Sequence, residues 1–346
     1  MALSSSSLAA AALVALAPFA VAQHAVVATT PDLAAICRVV GGDRVAVSCL
    51  VRGPQDPHFV EARPSLLRVV QQAELLVEVG RELEIGWLEV LVGNARNGVV
   101  LSGQPGRFDA SSAVRALGVP AAGTDRAAGD VHAGGNPHYM LDPLCGLQVA
   151  RALRDKFAAT WPRDSDGFAE RFERFRRDLA VAMVGAKVAE RYGHDAEKLA
   201  VAFGNGTLRG LLHEHGDLDQ LGGWFAALAP LRGAKLIADH DLWPYFCERC
   251  GVEVVGTLEP KPGVPPSTSH LQTIVELVRT GRVGAIVTAP YFPPQHAAFV
   301  AKATGVRIAE LGHQCGARPG TDDYLDFVDG NVRALVAALA PLTVSR

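Results

Sequence analysis

Three histidines stand in loops of the chain where a metal ion could be bound. His58 lies in PQDPHFVEARPS, between a run that predicts a strand and a helix that begins near Pro64. His138 lies in GNPHYMLDP, ahead of a helix that begins near Asp142, and His240 directly follows the apolar run of IADHDLWPYF. Neutral imidazoles are preferred ligands of zinc and related transition metals. Their positions therefore indicate metal binding.

A carboxylate completes this candidate set. Asp322 lies in RPGTDDYLDF, where the last predicted helix starts. Three imidazoles and one carboxylate suit a tetrahedral ion such as zinc, whereas calcium and magnesium prefer oxygen ligands. The intervals of 80, 102 and 82 residues between the four side chains exclude a local zinc finger. An aspartate at a helix start is more often an N-cap, and Asp322 or Asp323 could serve only in that way.

The elements around these residues alternate between strand and helix. AVVATT, VAVSCLV, ELLVEVG and GVVLS predict strands in the first half, and PDLAAICRVVGG, RPSLLRVVQQA and ELEIGWLEVLVGNAR predict helices. The same alternation restarts at AKLIAD and continues to the C-terminal helix. It predicts an α/β fold of two lobes, each with a mainly parallel sheet. Ligands bind at the carboxyl ends of such strands, where all four candidate residues fall, two from each lobe.

The sequence also predicts a signal peptide before the first lobe and a linking helix after it. The apolar stretch LAAAALVALAPFAVA is too short to span a bilayer and ends in a small-x-small pattern, which predicts a signal peptide cut before Gln23. An amphipathic pattern over 166–192 predicts one helix, roughly 40 Å long, that joins the lobes. The predicted domains are a signal peptide (1–22), an N-terminal lobe (23–160), a linking helix (161–192), an inserted helical segment (193–230) and a C-terminal lobe (231–346).

Composition excludes some classes of function. A net charge of −3 over 346 residues gives no reason to expect nucleic acid or an anionic membrane surface as a partner. Six cysteines are few for a disulfide scaffold, although an oxidising compartment would permit a bridge such as Cys37 to Cys49. The CERC pair, Cys247 and Cys250, is a weak signal that favours a structural thiol pair or disulfide partners over a redox or second metal site.

The segments that carry the candidate ligands resemble the TroA/ZnuA-like family, the extracytoplasmic solute-binding components of zinc and manganese ABC importers. DPHFVEARPS is similar to the family's Asp-Pro-His segment, GNPHYMLDP to its Asn-Pro-His segment, and HDLWPYF to its His-x-x-Trp-x-Tyr-Phe element; GTLEPKPGVPPSTSHL and PGTDDYLDF are similar to later loops. The resemblance covers nearly the whole mature chain. It implies ligand roles for His58, His138, His240 and Asp322, with Asp323 as the alternative in register.

The resemblance also implies a function and a fold. We expect a TroA-like protein, exported and soluble in the periplasm or another extracytoplasmic space, that acts as a monomer. It would capture a divalent metal between its lobes and deliver it to the membrane permease of an ABC importer, with no enzymatic activity. Zinc is expected over manganese because the third position is His240, a softer ligand than the carboxylate common in members that favour manganese.

One departure from the family and two alternatives bear on this interpretation. Zinc importers of this kind often carry a long, His- and acid-rich loop before the second histidine motif, whereas the interval here is only GTDRAAGDVHAGG, with Asp130 and His132, so metal scavenging by the loop should be weak or absent. An exported zinc-dependent hydrolase stays open, with Asp322, Glu61 or Asp239 as base. So does a metal-sequestering protein or adhesin on the same scaffold.

Overall fold

A computed structural model describes residues 23–120, 132–261 and 263–340. The predicted signal peptide at 1–22 lies outside the described residues. In the part of the chain that is described, no helix is both long and apolar enough to cross a membrane.

The first lobe is built on a sheet of four parallel strands in the order β2-β1-β3-β4. These strands are β1 (His24–Ala28), β2 (Val45–Cys49), β3 (Leu75–Glu78) and β4 (Arg107–Asp109). The helices of this lobe are α1 (Pro31–Gly41), α2 (Pro64–Gln71), α3 (Leu88–Ala95) and α4 (Pro143–Thr160). Successive strand residues face opposite sides, so Val26 packs in the core with α1 and α4 while Val27 packs with α2 and α3. Helices on both faces are what a parallel sheet requires.

The segment between the lobes forms two helices where the sequence predicts one. It forms α5 (Ser165–Val184) and α6 (Ala186–Arg191), followed by α7 (Ala196–Gly204), α8 (Leu208–Glu214) and α9 (Gly223–Leu228). The prediction of a continuous helix over 166–192 was wrong, because Gly185 adopts a φ of +81° and a Cβ there would lie 3.1 Å from the backbone of Gly222. The helix that links the lobes is therefore the 20-residue α5, about 30 Å long.

The second lobe repeats the plan of the first. Its strands also run parallel, in the order β6-β5-β7-β8. They are β5 (Lys235–Ala238), β6 (Glu253–Thr257), β7 (Val283–Thr288) and β8 (Arg307–Glu310), and the helices are α10 (Pro244–Cys250), α11 (Thr268–Gly281), α12 (Pro294–Thr304) and α13 (Tyr324–Leu339). The prediction of two α/β lobes with parallel sheets is confirmed. The exact domain limits stay predictions.

One strand prediction in the first lobe was wrong. GVVLS was expected to be a strand, but Gly98–Val100 is a single 3₁₀ turn, and β4 is the later segment Arg107–Asp109. The side chain of Asn97 accepts a hydrogen bond from the amide of Val99 and donates to the carbonyls of Val70 and Ala73. These bonds fix a turn at a position where apolar composition alone predicts an extended chain.

The six cysteines are all free thiols in the structure. The bridge between Cys37 and Cys49 that the sequence allows is not formed. Cys247 and Cys250, one turn apart in α10, are both buried. Burial raises the pKa of Cys247 to about 12, which keeps the thiol protonated and unreactive near neutral pH.

A buried carboxylate fixes the backbone just after β3. Glu84 accepts hydrogen bonds from the Thr29 hydroxyl at 2.6 Å, the Val79 amide at 2.7 Å and the Gly80 amide at 3.1 Å. Burial raises the pKa of Glu84 to about 7, although these three bonds oppose the rise. Glu84 thus fixes the backbone at the end of β3, and its contribution to the free energy of unfolding depends on pH.

Replacing Glu84 by glutamine should change how stability depends on pH. A carboxyl whose pKa is near 7 when folded and 4.5 when unfolded keeps its proton in the folded state between these values. Its contribution to the free energy of unfolding therefore falls as pH rises through that window, by up to about 1.4 kcal/mol per pH unit. The free energy of unfolding should be measured with urea from pH 4 to 9. The value for Glu84→Gln should rise relative to that of the unmodified protein between pH 4.5 and 7, and the difference should stay level above pH 7. A difference that is constant over the whole range would contradict this.

Candidate metal centre

Three histidine side chains meet at the edge of the first lobe. His58, His132 and His138 each offer a ring nitrogen, and these nitrogens all lie within 4.8 Å of one another. The rings of His58 and His132 stack with centroids 5.4 Å apart, and His138 lies edge-on to both, at 5.4 Å from His58 and 6.5 Å from His132. Nitrogens bound to one zinc ion lie about 3.3 Å apart, so small side-chain rotations would bring this group around an ion.

A carboxylate orients His58. The ring Nδ1 of His58 lies 2.8 Å from Oδ1 of Asp56, which also accepts the His58 backbone amide at 3.0 Å. Burial alone would raise the pKa of Asp56, but the bond and charge of His58 outweigh it and hold that pKa below its usual value. A carboxylate bonded to one ring nitrogen is the arrangement that commonly orients histidine ligands in proteins, with the metal bound by the other nitrogen.

His138 is a buried member of the group. It precedes the short 3₁₀ turn Tyr139–Leu141, and its backbone amide donates to the side chain of Asn136 at 3.0 Å. Asp142 then caps α4 by accepting the amide of Leu144 at 2.8 Å. Burial, together with the neighbouring histidines, lowers the pKa of His138 well below its usual value. The ring is therefore neutral near pH 7, the form that can bind a metal.

His240 follows β5 in the second lobe and is oriented as His58 is. Its Nδ1 lies 2.9 Å from Oε2 of Glu259, whose side chain also accepts the Gly263 amide. Burial alone would lower the pKa of His240, but Glu259 outweighs it and raises that pKa. The ring also packs 5.7 Å from that of Phe292. His240 is not in the 4.8 Å group, although it is near enough to depress the pKa of His138.

Asp322 is placed differently from the histidines. Its side chain is exposed, and Oδ1 lies 3.1 Å from the position that a Cβ on Gly316 would occupy. It does not belong to the group of mutually close metal-ligating atoms. The neighbouring Asp323 is the N-cap of α13, since its carboxylate accepts the Leu325 amide at 2.8 Å. The structure thus gives the N-cap role to Asp323.

The loops that carry the histidines contact each other across the lobes. The side-chain amide nitrogen of Gln314, in the second lobe, lies 2.9–3.0 Å from the carbonyls of Arg52, Gly53 and Gln55, just ahead of His58. Asn136 donates to the carbonyl of Asp241 at 2.6 Å, which ties the loop of His138 to that of His240. These bonds join the first-lobe loops of His58 and His138 to the second-lobe loops of Gln314 and His240.

The space next to His138 is small. A cavity of about 20 Å³ lies beside its ring, between the end of β1 and the loop that carries His313. This is the volume of roughly one water molecule, so the cavity could not enclose an organic ligand. Burial lowers the pKa of His313 to about 4, although its hydrogen bond to the Gln55 carbonyl opposes the shift, so this ring is also neutral.

Sequence reasoning did not assign a ligand role to His132. It is the histidine of the short interval GTDRAAGDVHAGG, of which 121–131, including Asp130, lie outside the described residues. The only hint in the sequence that His132 could share a site with His138 was their separation of six residues along the chain. A loop that turns back at Gly135 brings the two side chains together, which spacing alone did not reveal.

Comparison with known proteins gives the family. The family model ZnuA, zinc-uptake complex component A, periplasmic, matches residues 26–190 and 215–338. The chain belongs to this family. The zinc uptake protein ZnuA of Paracoccus denitrificans is 27% identical over 91% of each chain, and the manganese ABC transporter substrate-binding lipoprotein PsaA of Streptococcus pneumoniae is 27% identical over 47% of this chain and 50% of its own.

Solved structures agree on the fold. A crystal structure of ZnuA matches 92% of this chain and 100% of its own with a TM-score of 0.67 at 20% identity. Members of this family are the substrate-binding components of metal uptake systems. Membership confirms the resemblance that the sequence motifs indicated. The stretch between the two matched ranges, 191–214, holds α7 and α8.

Proposed function

We propose that the protein captures a divalent transition metal, zinc in preference to manganese, and delivers it to the permease of an ABC importer. The ligands in this proposal are His58, His138, His240 and Asp322. The metal is cargo, and no reaction is required of the site, so the protein acts by binding rather than as an enzyme.

One observation carries the proposal. In each lobe a histidine at the carboxyl edge of the sheet has its Nδ1 bonded to a carboxylate, His58 to Asp56 and His240 to Glu259. Such bonds fix the orientation of rings that bind an ion through the other nitrogen. Buried, neutral His138 lies beside them, and the adjoining cavity is too small for an organic solute.

The donor set supports zinc over manganese. Three imidazoles suit a borderline-soft ion, whereas manganese favours carboxylate and water oxygens. The exposure of Asp322 adds to this argument, because the one carboxylate of the set would have to move inward to bind. Zinc can be held by the imidazoles with a water or Asp322 in the fourth position.

Export and assembly complete the proposal. The family is described as periplasmic, and one relative is named as a lipoprotein. We therefore propose that this chain is exported through the signal peptide predicted at 1–22, with domain limits as the sequence predicts, and that it works as a monomer. The hydrogen bonds that Gln314 and Asn136 make between the loops of the two lobes would differ between the metal-bound and empty forms. The permease could then distinguish the two forms.

The test is metal content after competition. Protein stripped with a chelator and re-equilibrated with equimolar zinc and manganese should retain one zinc per chain by mass spectrometry. His138→Ala should weaken zinc binding by more than about 100-fold, since loss even of an outer-shell partner costs 10–100-fold in affinity. His213→Ala, which removes an exposed histidine of α8, serves as the control and should retain the metal.

Each other outcome has a defined meaning. One manganese per chain would keep metal capture and overturn the argument from ligand softness. If the unmodified protein retains no metal, the capture function itself is wrong. Retention of zinc by His138→Ala at unchanged affinity would remove His138 from the ligand set.

A further inference from the structure

The three histidines whose nitrogens lie within 4.8 Å of one another all belong to the first lobe. His58 comes from the loop after β2, and His132 and His138 from the segment between β4 and α4. We call this group the N-lobe histidine site. The other two proposed ligands, His240 and Asp322, come from the second lobe and are not in the group. One lobe therefore supplies three imidazoles to a common point without any contribution from the other.

The backbone around His132 is fixed by specific contacts. The His132 carbonyl accepts the amide of Gly135 at 3.0 Å, and the amide of Ala133 donates to Oε2 of Glu82 at 2.8 Å. Gly135 has a φ of +92°, and a Cβ there would lie 2.8 Å from the carbonyl oxygen of Leu117, so only glycine fits. This turn directs His132 back toward His58 and His138.

Three imidazoles are a sufficient protein ligand set for zinc. Open zinc sites commonly have three protein ligands, including three histidines, and a water in the fourth position. The second-lobe ligands, in contrast, are held elsewhere: His240 is hydrogen-bonded to Glu259, and Asp322 is exposed beside Gly316. A metal reaching this edge of the protein would meet a complete three-nitrogen set in the first lobe.

We propose that His132 is a metal ligand, and that His58, His132 and His138 bind zinc as a site of the first lobe alone. This inference rests on the metal capture proposed above and specifies how that site is loaded. The first lobe would hold the ion with three imidazoles and water. His240 and Asp322 would then exchange with His132 or with the water as the second lobe engages.

Removing the second-lobe ligands isolates this site. In the full chain, the double variant His240→Ala/Asp322→Ala should still bind one zinc per chain, measured by chelator competition, with lower affinity than the unmodified protein. Adding His132→Gln, which preserves much of the side-chain volume, should weaken that remaining binding by about 100-fold. X-ray absorption of the zinc-loaded double variant should count three imidazoles, and two after the added substitution.

Matched variants keep the outcomes distinct. His213→Ala, added to the double variant in place of His132→Gln, should leave zinc affinity unchanged. Melting of the metal-free variants checks that each is folded, and His132→Ala is used if the glutamine variant is not. The inference is overturned if the double variant binds no zinc, or if removing His132 changes neither affinity nor imidazole count. Failure of the unmodified protein to bind zinc would instead overturn the proposed function.

Discussion

Replacement of Arg249 by methionine is expected to lower the free energy of unfolding by about 3–5 kcal/mol. Arg249, in α10 of the second lobe, donates to both carboxylate oxygens of Asp142, at 2.8 and 2.9 Å, and to the carbonyl of Ala200 in α7. Both side chains of the ion pair are buried, with exposures of 7% and 5%. Methionine fills much of the space but leaves the carboxylate of Asp142 without a charged partner away from water.

The chain offers a matched control next to this pair. Arg115 in the first lobe pairs with Glu248, the neighbour of Arg249, at 2.5 Å, but these side chains are 69% and 46% exposed. An exposed pair contributes about 0–1 kcal/mol, so Arg115→Met should change stability little. Urea unfolding followed by circular dichroism measures both variants. Equal losses in the two variants would contradict the argument that burial is what makes loss of the Arg249–Asp142 pair costly.

A second substitution tests the cause of the loss. Asparagine at position 142 can still cap α4 but carries no charge. The double variant Arg249→Met/Asp142→Asn should therefore be more stable than Arg249→Met alone, because the unpaired charge has been removed. If the double variant is less stable than the single one, the orphaned carboxylate is not the source of the loss.

Removal of the carboxylates that orient the histidines should weaken metal binding without touching a proposed ligand. Asp56→Ala and Glu259→Ala are each expected to lower zinc affinity by about 10–100-fold, the usual effect of losing such a partner. Asp56→Asn and Glu259→Gln keep a hydrogen-bond acceptor and lose the charge, so their effects should be smaller. Isothermal titration or chelator competition at pH 7.5 gives the affinities.

The control for these variants is a carboxylate of the same loop that faces solvent. Glu61 is 82% exposed and pairs with Arg63, so Glu61→Gln should leave zinc affinity unchanged. Should Asp56→Ala and Glu259→Ala also leave it unchanged, the orientation of His58 and His240 does not depend on these bonds. A loss at Asp56 alone would restrict the orientation effect to the first lobe.

Local patterns were enough to predict most elements of this fold. The proline at the start of α1, the aspartate that caps α4 and the apolar period of α5 are features of neighbouring residues, and each is present in the structure. The helix break at Gly185 was missed because the apolar pattern continues through it. What makes the break necessary is the approach of Gly222, 37 residues later in the chain.

The sequence by itself determined the two parallel α/β lobes and placed His58, His138 and His240 in loops at the carboxyl ends of their sheets. This was possible because periodicity, caps and strand direction follow from short stretches of chain. Only the tertiary structure decided that His132 joins His58 and His138, and that Glu259 orients His240. These contacts join different loops, and distances of a few ångströms between loops are set by how whole elements pack.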